Sequence, residues 1–118
     1  MEKKIASTQP VYYHTLDIKE RTRNAALACY GVVDVARRED TLRADKRVKK
    51  GLIEDAAIYV KKAANRTFTV DVYLVLSKEV KLTEALVECQ KTILYQLNKW
   101  CGGLCTAVNV FGELLASN

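Results

Sequence analysis

A nine-residue stretch of alternating side chains constrains the fold of this chain more than any other feature. In Phe68–Leu76 an apolar residue occupies every second position, and most positions between are threonine, aspartate or tyrosine. A period of two is the pattern of a β-strand with one buried face. A β-prone run, Ile58–Val60, precedes it. The segment Ala63–Arg66 between them predicts a turn, with Asn65 in the left-handed conformation. The two runs are therefore predicted to form a hairpin.

Two amphipathic helix patterns flank this hairpin. Apolar side chains recur at helical spacing over Ile18–Tyr30, before Gly31, and over Thr83–Trp100, before Gly102-Gly103. Glycine commonly ends a helix because it adopts the left-handed conformation without steric cost. Short strands are predicted at Val11–Tyr13, Val32–Val35 and Thr106–Phe111.

These elements predict an α+β fold: a two-layer sandwich with both helices on one face of a small mixed sheet, in the order β-α-β-β-β-α-β. A length of 118 residues suits one domain. We therefore interpret residues 1–118 as a single domain, with a frayed N-terminus over 1–10 and a basic loop over 36–51. Hydrophobic residues make up 49% of the chain and charged residues 28%, as expected for a globular protein.

Most of the net charge of +5 lies in one segment, where seven basic residues accompany three acidic ones. Such a segment could hold the phosphates of nucleic acid or of anionic lipid headgroups. Alternatively, it is a solvated loop whose cations pair with its own acids. No aromatic residue lies among the cations to stack on bases, which favours lipid over nucleic acid. The seven residues of this basic cluster are Arg37, Arg38, Arg43, Lys46, Arg47, Lys49 and Lys50.

The sequence predicts no catalytic site, metal site or cofactor. Cys101 and Cys105 are spaced one residue too far apart for the redox Cys-x-x-Cys motif, and His14 is the single histidine. Cys29 and Cys89 are predicted to fill core positions, and a switch disulfide between Cys101 and Cys105 stays open as an alternative. The lack of a signal peptide and of a long apolar run predicts a cytoplasmic chain with reduced cysteines.

Tyr59 and Tyr73 are the candidate protein-interface residues, because they lie on the two strands of the predicted hairpin. Tyrosine is favoured at interfaces, where it offers a large contact area with few rotatable bonds. Alternatively, the two side chains form an ordinary cross-strand pair.

Three segments, in this order, resemble the alkaline shock proteins of the bacterial envelope stress response. A helix ends in small residues before Gly31-Val32; a hairpin strand follows, Val70–Leu76; and a long helix ends at Gly102-Gly103 before Val108–Val110. The chain departs from the family at Ser77–Val80, where the family has a glycine-containing stretch.

The resemblance covers about residues 11–112. It implies a non-enzymatic adaptor or scaffold of the bacterial cytoplasm. Members of that family self-associate and gather at the inner face of the membrane through a membrane-anchored protein partner. The sequence therefore predicts an adaptor that forms homo-oligomers and docks onto such a partner. The alternative is a module that binds nucleic acid or anionic lipid through the basic cluster.

Overall fold

The computed structural model describes residues 13–36 and 57–115. The α+β class is confirmed. Within the described ranges, the order of elements is α-β-β-β-α-β, with one turn of 3₁₀ helix between the second and third strands. The elements are α1 (Thr15–Leu27), β1 (Val32–Asp34), β2 (Ile58–Lys62), the 3₁₀ turn (Ala64–Arg66), β3 (Phe68–Leu76), α2 (Leu82–Cys101) and β4 (Cys105–Leu114).

Strand β3 is the centre of a mixed sheet, because the other three strands all pair with it. β1 and β2 run antiparallel to β3, while β4 runs parallel to it. From β3 to Ser77, the backbone groups of odd-numbered residues form hydrogen bonds on the side of β1 and β2, as the bond from Ser77 N to Gly31 O shows (2.8 Å). Even-numbered residues bond toward β4, as from Phe68 N to Leu104 O (3.0 Å). β4 therefore lies on the opposite edge of β3 from β1 and β2.

The hydrophobic core lies between one face of this sheet and the two helices. Phe68, Val70, Val72, Leu74 and Leu76 of β3 are at most 2% exposed and belong to one buried cluster. The same cluster receives side chains from both helices and the flanking strands, namely Ile18, Ala25, Ala26, Ile58, Cys89, Ile93, Leu97, Cys101 and Val108. The predicted alternation of β3 is confirmed, whereas the two-layer sandwich stays a prediction.

Helix α1 begins and ends three residues earlier than predicted. Ile18 N bonds to His14 O (3.0 Å), so the first turn forms at Thr15 and Asp17 lies within it. An acidic side chain in the first turn is stabilised by the helix dipole. After Leu27 the chain turns tightly, and no helix continues to Tyr30.

The turn after α1 packs against the segment that follows β3. Gly31 has φ of +88°, and a Cβ built on it would lie 2.6 Å from Cγ1 of Val80. The Gly31 carbonyl also accepts the bond from Ser77 N. A side chain at position 31 would therefore meet both an unfavourable backbone conformation and an occupied space.

The junction between α2 and β4 is held by one side chain. Asn98 donates through Nδ2 to Cys105 O (3.0 Å), while its Oδ1 accepts from Cys105 N (2.9 Å). Gly102, with φ of +71°, ends the helix, and its N–H bonds to Asn98 O (2.9 Å). Neither helix in the described ranges has both the length and the apolar character that crossing a bilayer requires.

The remaining boundaries agree more closely with the sequence. α2 differs from its prediction by one residue at each end, and Asn65 has the left-handed conformation predicted for it (φ 62°). β4 extends to Leu114 instead of ending at Phe111, because β3 offers it a pairing partner along its full length. Tyr13 is not in a strand, and the rest of the predicted first strand and all of the 1–10 terminus lie outside the described residues. Of the predicted basic loop 36–51, the structure describes Ala36, which is buried, and the rest lies outside the described residues.

Candidate interaction surface on the sheet

Three aromatic side chains form a row across the face of the sheet that points away from the core cluster. Tyr59 of β2 meets Tyr73 of β3 edge to face, with ring centroids 6.2 Å apart. Tyr73 stacks on Phe111 of β4 at 4.9 Å, with an interplanar angle of 20°. Tyr59 is 40% exposed and Phe111 44% exposed, with Tyr73 partly covered between them. We call these three residues the aromatic row.

A polar row lies next to the aromatic row on the same three strands. Asp71 of β3 accepts a hydrogen bond from Nδ2 of Asn109 on β4 (2.9 Å). On its other side, Lys61 of β2 places Nζ 3.8 Å from the Asp71 carboxylate. Because the Lys61 side chain is 73% exposed, this ion pair contributes at most about 1 kcal/mol to stability. The polar row therefore lies beside the rings and adds little to the stability of the sheet.

The alternation of side chains along each strand places both rows on this face of the sheet. Tyr73 and Asp71 occupy the odd positions of β3, whose even positions belong to the core. Tyr73 lies directly opposite Phe111 in the parallel register of β3 and β4. The structure thus brings the two candidate interface tyrosines together and adds Phe111, which the sequence analysis did not select. Its alternation with Val108 and Val110 is the sequence signal that could have indicated its face, whereas only the β3–β4 pairing gives its neighbour.

The four cysteines are free thiols. Burial, together with a smaller contribution from the adjacent Cys29 thiol, raises the pKa of Cys89 to about 12. Burial likewise raises the pKa of Cys105 to about 11. Cys101 donates to Oδ1 of Asn98 (3.4 Å) and is buried. With their raised pKa values, the thiols of Cys89 and Cys105 stay protonated near neutral pH, which is the opposite of an activated nucleophile. The contact between the Cys29 thiol, in the turn after α1, and the Cys89 thiol on α2 was not predicted.

His14 lies exposed at the start of α1 and does not belong to the core cluster that contains Cys89, Cys101 and Cys105. Within residues 13–36 and 57–115, no three histidine, cysteine, aspartate or glutamate side chains are grouped so as to hold a metal ion.

The outer surfaces of the helices carry a groove of about 670 Å³. The Arg21 guanidinium lies 4.7 Å from the centroid of the Trp100 ring, and Tyr13 packs on the same ring at 4.5 Å. Asp17 and Glu20 line the groove beside Arg21. The cation–π and aromatic contacts join α1 to the end of α2, which is a structural role.

The seven candidate residues of the basic cluster lie outside the described residues. These are Arg37, Arg38, Arg43, Lys46, Arg47, Lys49 and Lys50. Their proposed binding of anionic lipid or nucleic acid stays a prediction from sequence.

No protein-family model matches the chain, and no curated protein matches it. Solved structures of MamM CTD resemble it in fold. The structure named MamM-CTD 215-293 is 12% identical with a TM-score of 0.56, and the match covers 86% of this chain and 100% of that chain. A doubly substituted MamM CTD is 11% identical with a TM-score of 0.59, covering 88% of this chain and 86% of that chain. At such identities, the likeness establishes the fold alone.

Proposed function

We propose that this domain is a non-enzymatic adaptor that self-associates and holds a protein partner against its aromatic row. The observation that supports the proposal is the row itself: Tyr59, Tyr73 and Phe111 form a continuous aromatic strip over three strands, with rings exposed at both ends. Aromatic side chains are enriched at the centres of protein interfaces, where a polar rim surrounds them. The polar row, Lys61 to Asn109, supplies one side of such a rim.

The geometry indicates which chemistry a partner needs. Rings in mutual contact keep their positions, so little side-chain entropy is lost when a partner covers them. The exposed parts of Tyr59 and Phe111 call for a partner surface with an apolar or aromatic centre. The resemblance to the alkaline shock proteins adds the expectation that the partner is membrane-anchored.

The test compares tyrosines that differ in position but not in type. Tyr59→Ala and Tyr73→Ala alter the aromatic row, while Tyr95→Ala removes an exposed tyrosine (63%) from α2. The purified domain is used to capture partners from the native cell, and the dissociation constant of each identified partner is measured for every variant. We expect the row variants to weaken binding at least about tenfold, as for a central interface aromatic.

Tyr95→Ala should leave the dissociation constant within about twofold, since scattered exposed residues contribute little. Equal affinity for all three variants and the wild type would show that the row is not the docking surface. Self-association is measured separately, by sedimentation velocity of the wild type from micromolar to millimolar concentration. A species that remains at 13.3 kDa throughout would refute that half of the proposal.

A further inference from the structure

Strand β4 has one paired edge and one open edge. Its residues Cys105–Leu114 pair with β3, and in the ranges 13–36 and 57–115 no other strand pairs with β4. A strand at the border of a sheet presents a row of backbone donors and acceptors to any second strand. The open edge of β4 is therefore a candidate surface for strand addition.

The backbone groups on this edge follow from the hydrogen bonds on the other one. Leu115 N bonds to Leu76 O (2.6 Å), and the register between the strands is regular from Thr69 onward. Residues of β4 with odd numbers from Ala107 onward consequently bond to β3, and the even-numbered Val110 and Gly112 turn N–H and C=O outward. The side chain of Gln90 on α2 confirms this direction, since its Nε2 reaches Val108 O from that side (2.8 Å).

β4 lacks the features by which sheet edges usually resist pairing. Such edges carry lysine or proline, are very short, or are twisted by a bulge. Over its ten residues, β4 contains no lysine and no proline, and Glu113 is its one charged residue. Its register irregularity lies at the beginning, opposite Phe68/Thr69. Gln90 occupies the carbonyl of Val108, so Val110 and Gly112 form the part of the edge that the proposal below uses.

We propose that β4 pairs antiparallel with β4 of a second copy of this chain, about a two-fold axis at Phe111. Val110 of each copy then exchanges both backbone hydrogen bonds with Gly112 of the other. This inference rests on the self-association in the proposed function and specifies its surface.

Three features favour a second copy of the chain as the occupant of the open edge of β4. First, an isologous contact needs a self-complementary strand, and β4 is nearly uncharged, with Glu113 facing Asn109 of the second copy in this register. Second, Phe111 lies opposite Phe111 of the second copy, with Cα atoms about 4.5 Å apart. The aromatic row thereby continues from one copy into the other without a break.

Third, the register leaves the contact between Gln90 and Val108 outside the central pairs, whereas pairing centred nearer to Val108 would disrupt it. The axis is perpendicular to the sheet, so the helices of both copies lie on the same side. A cavity of about 190 Å³ lies beside the edge and is lined by Val87 and Val110. In the proposed dimer it faces the same cavity of the second copy across the axis. Val87, which is 41% exposed, gains an apolar neighbour there.

The test removes one outward donor without altering the bonds to β3. Val110→Pro deletes the N–H that the second copy needs, and proline is tolerated at an edge position whose N–H faces away from the sheet. By symmetry the dimer loses two hydrogen bonds. We expect the dissociation constant in sedimentation velocity to rise at least about tenfold. Circular dichroism and thermal unfolding test whether the variant is folded. Tyr59→Ala, whose side chain is distant from the axis, should leave the dissociation constant of the dimer unchanged.

A second measurement does not depend on the folding of the proline variant. Phe111→Cys places two thiols opposite each other, within the Cα separation of about 4.4–6.8 Å that a disulfide requires. Mild oxidation should cross-link this variant. In Asn109→Cys the two new thiols would lie four residues apart along the paired strands, since position 109 faces position 113 of the second copy. This control should not cross-link above the wild-type background.

The outcomes separate this inference from the proposed function. A wild-type dimer that persists in Val110→Pro, or that is cross-linked by Asn109→Cys and not by Phe111→Cys, overturns the β4 pairing and leaves the adaptor proposal standing. A wild type that is monomeric at every concentration overturns both the pairing and the self-association. Loss of partner capture in Tyr59→Ala is measured independently of either result.

Discussion

Replacing Gly31 with alanine tests how the turn after α1 is packed. Gly31 and Gly102 both have positive φ, +88° and +71°, so alanine at either position costs about 1–2 kcal/mol of backbone strain. Only at Gly31 does the new Cβ meet another atom, 2.6 Å from Cγ1 of Val80; at Gly102 nothing lies within 4 Å. Overpacking of this kind typically costs a further 1–3 kcal/mol, roughly. Gly31→Ala should therefore be about 1–3 kcal/mol more destabilising than Gly102→Ala.

A double-mutant cycle isolates the steric part. Val80→Ala removes Cγ1, and the Cβ of Val80, at 3.5 Å, remains at an ordinary contact distance. In that background Gly31→Ala should cost only the backbone strain, which gives a coupling energy of about 1–3 kcal/mol. Urea unfolding followed by circular dichroism measures each corner of the cycle. The reasoning is refuted if Gly31→Ala and Gly102→Ala are equally destabilising, or if Val80→Ala brings no relief.

Two further predictions concern the end of α2 and the buried thiols. Asn98→Ala removes both hydrogen bonds to the backbone of Cys105 and should lower the free energy of unfolding by about 2–3 kcal/mol. Asn109→Ala, the control, removes one exposed hydrogen bond to Asp71 and should lower it by less than about 1 kcal/mol. Equal losses in the two variants would contradict this prediction. Because burial raises the pKa of Cys89 from 9.0 to about 12 and that of Cys105 to about 11, the unfolded chain releases these protons first. Stability should therefore fall as pH rises above about 9, by at most about 1.4 kcal/mol per pH unit for each thiol. Denaturant titrations of the wild type and of Cys89→Ala between pH 8 and pH 11, roughly, should show a shallower decline for the variant, and identical slopes would refute the effect of burial.

The local pattern of the sequence predicted elements whose signal lies within a few neighbouring residues. The alternation of Phe68–Leu76 and the turn at Asn65 were confirmed because backbone conformation and side-chain period are local properties. The predicted start of α1, Ile18, was wrong by three residues; the helix begins at Thr15 and Asp17 lies within its first turn, where the helix dipole stabilises an acidic side chain. Helix boundaries depend on which backbone groups find partners, and several registers satisfy the same apolar stripe.

Contacts between distant segments could not be predicted in this way. The resemblance drew attention to Gly31 and, as a departure, to Ser77–Val80; the structure shows that these two segments touch. Tyr59 and Tyr73 were selected because a hairpin joins their strands. Phe111 was not selected, because its contact with Tyr73 exists only when the chain returns through α2 and β4 pairs parallel to β3. No pattern within β4 specifies that partner strand.

The position of β4 also explains why the two proposed contacts can be separated by mutation. Its odd-numbered residues complete the aromatic row and bond to β3, whereas Val110 and Gly112 direct their backbone groups to the open edge. A partner that covers the face of the sheet and a second copy that extends its edge therefore use different atoms of one strand. Phe111 alone belongs to both contacts, since its ring lies on the face and its position on the proposed axis. A substitution there should affect docking and self-association together, while Tyr59 bears on the first and Val110 on the second.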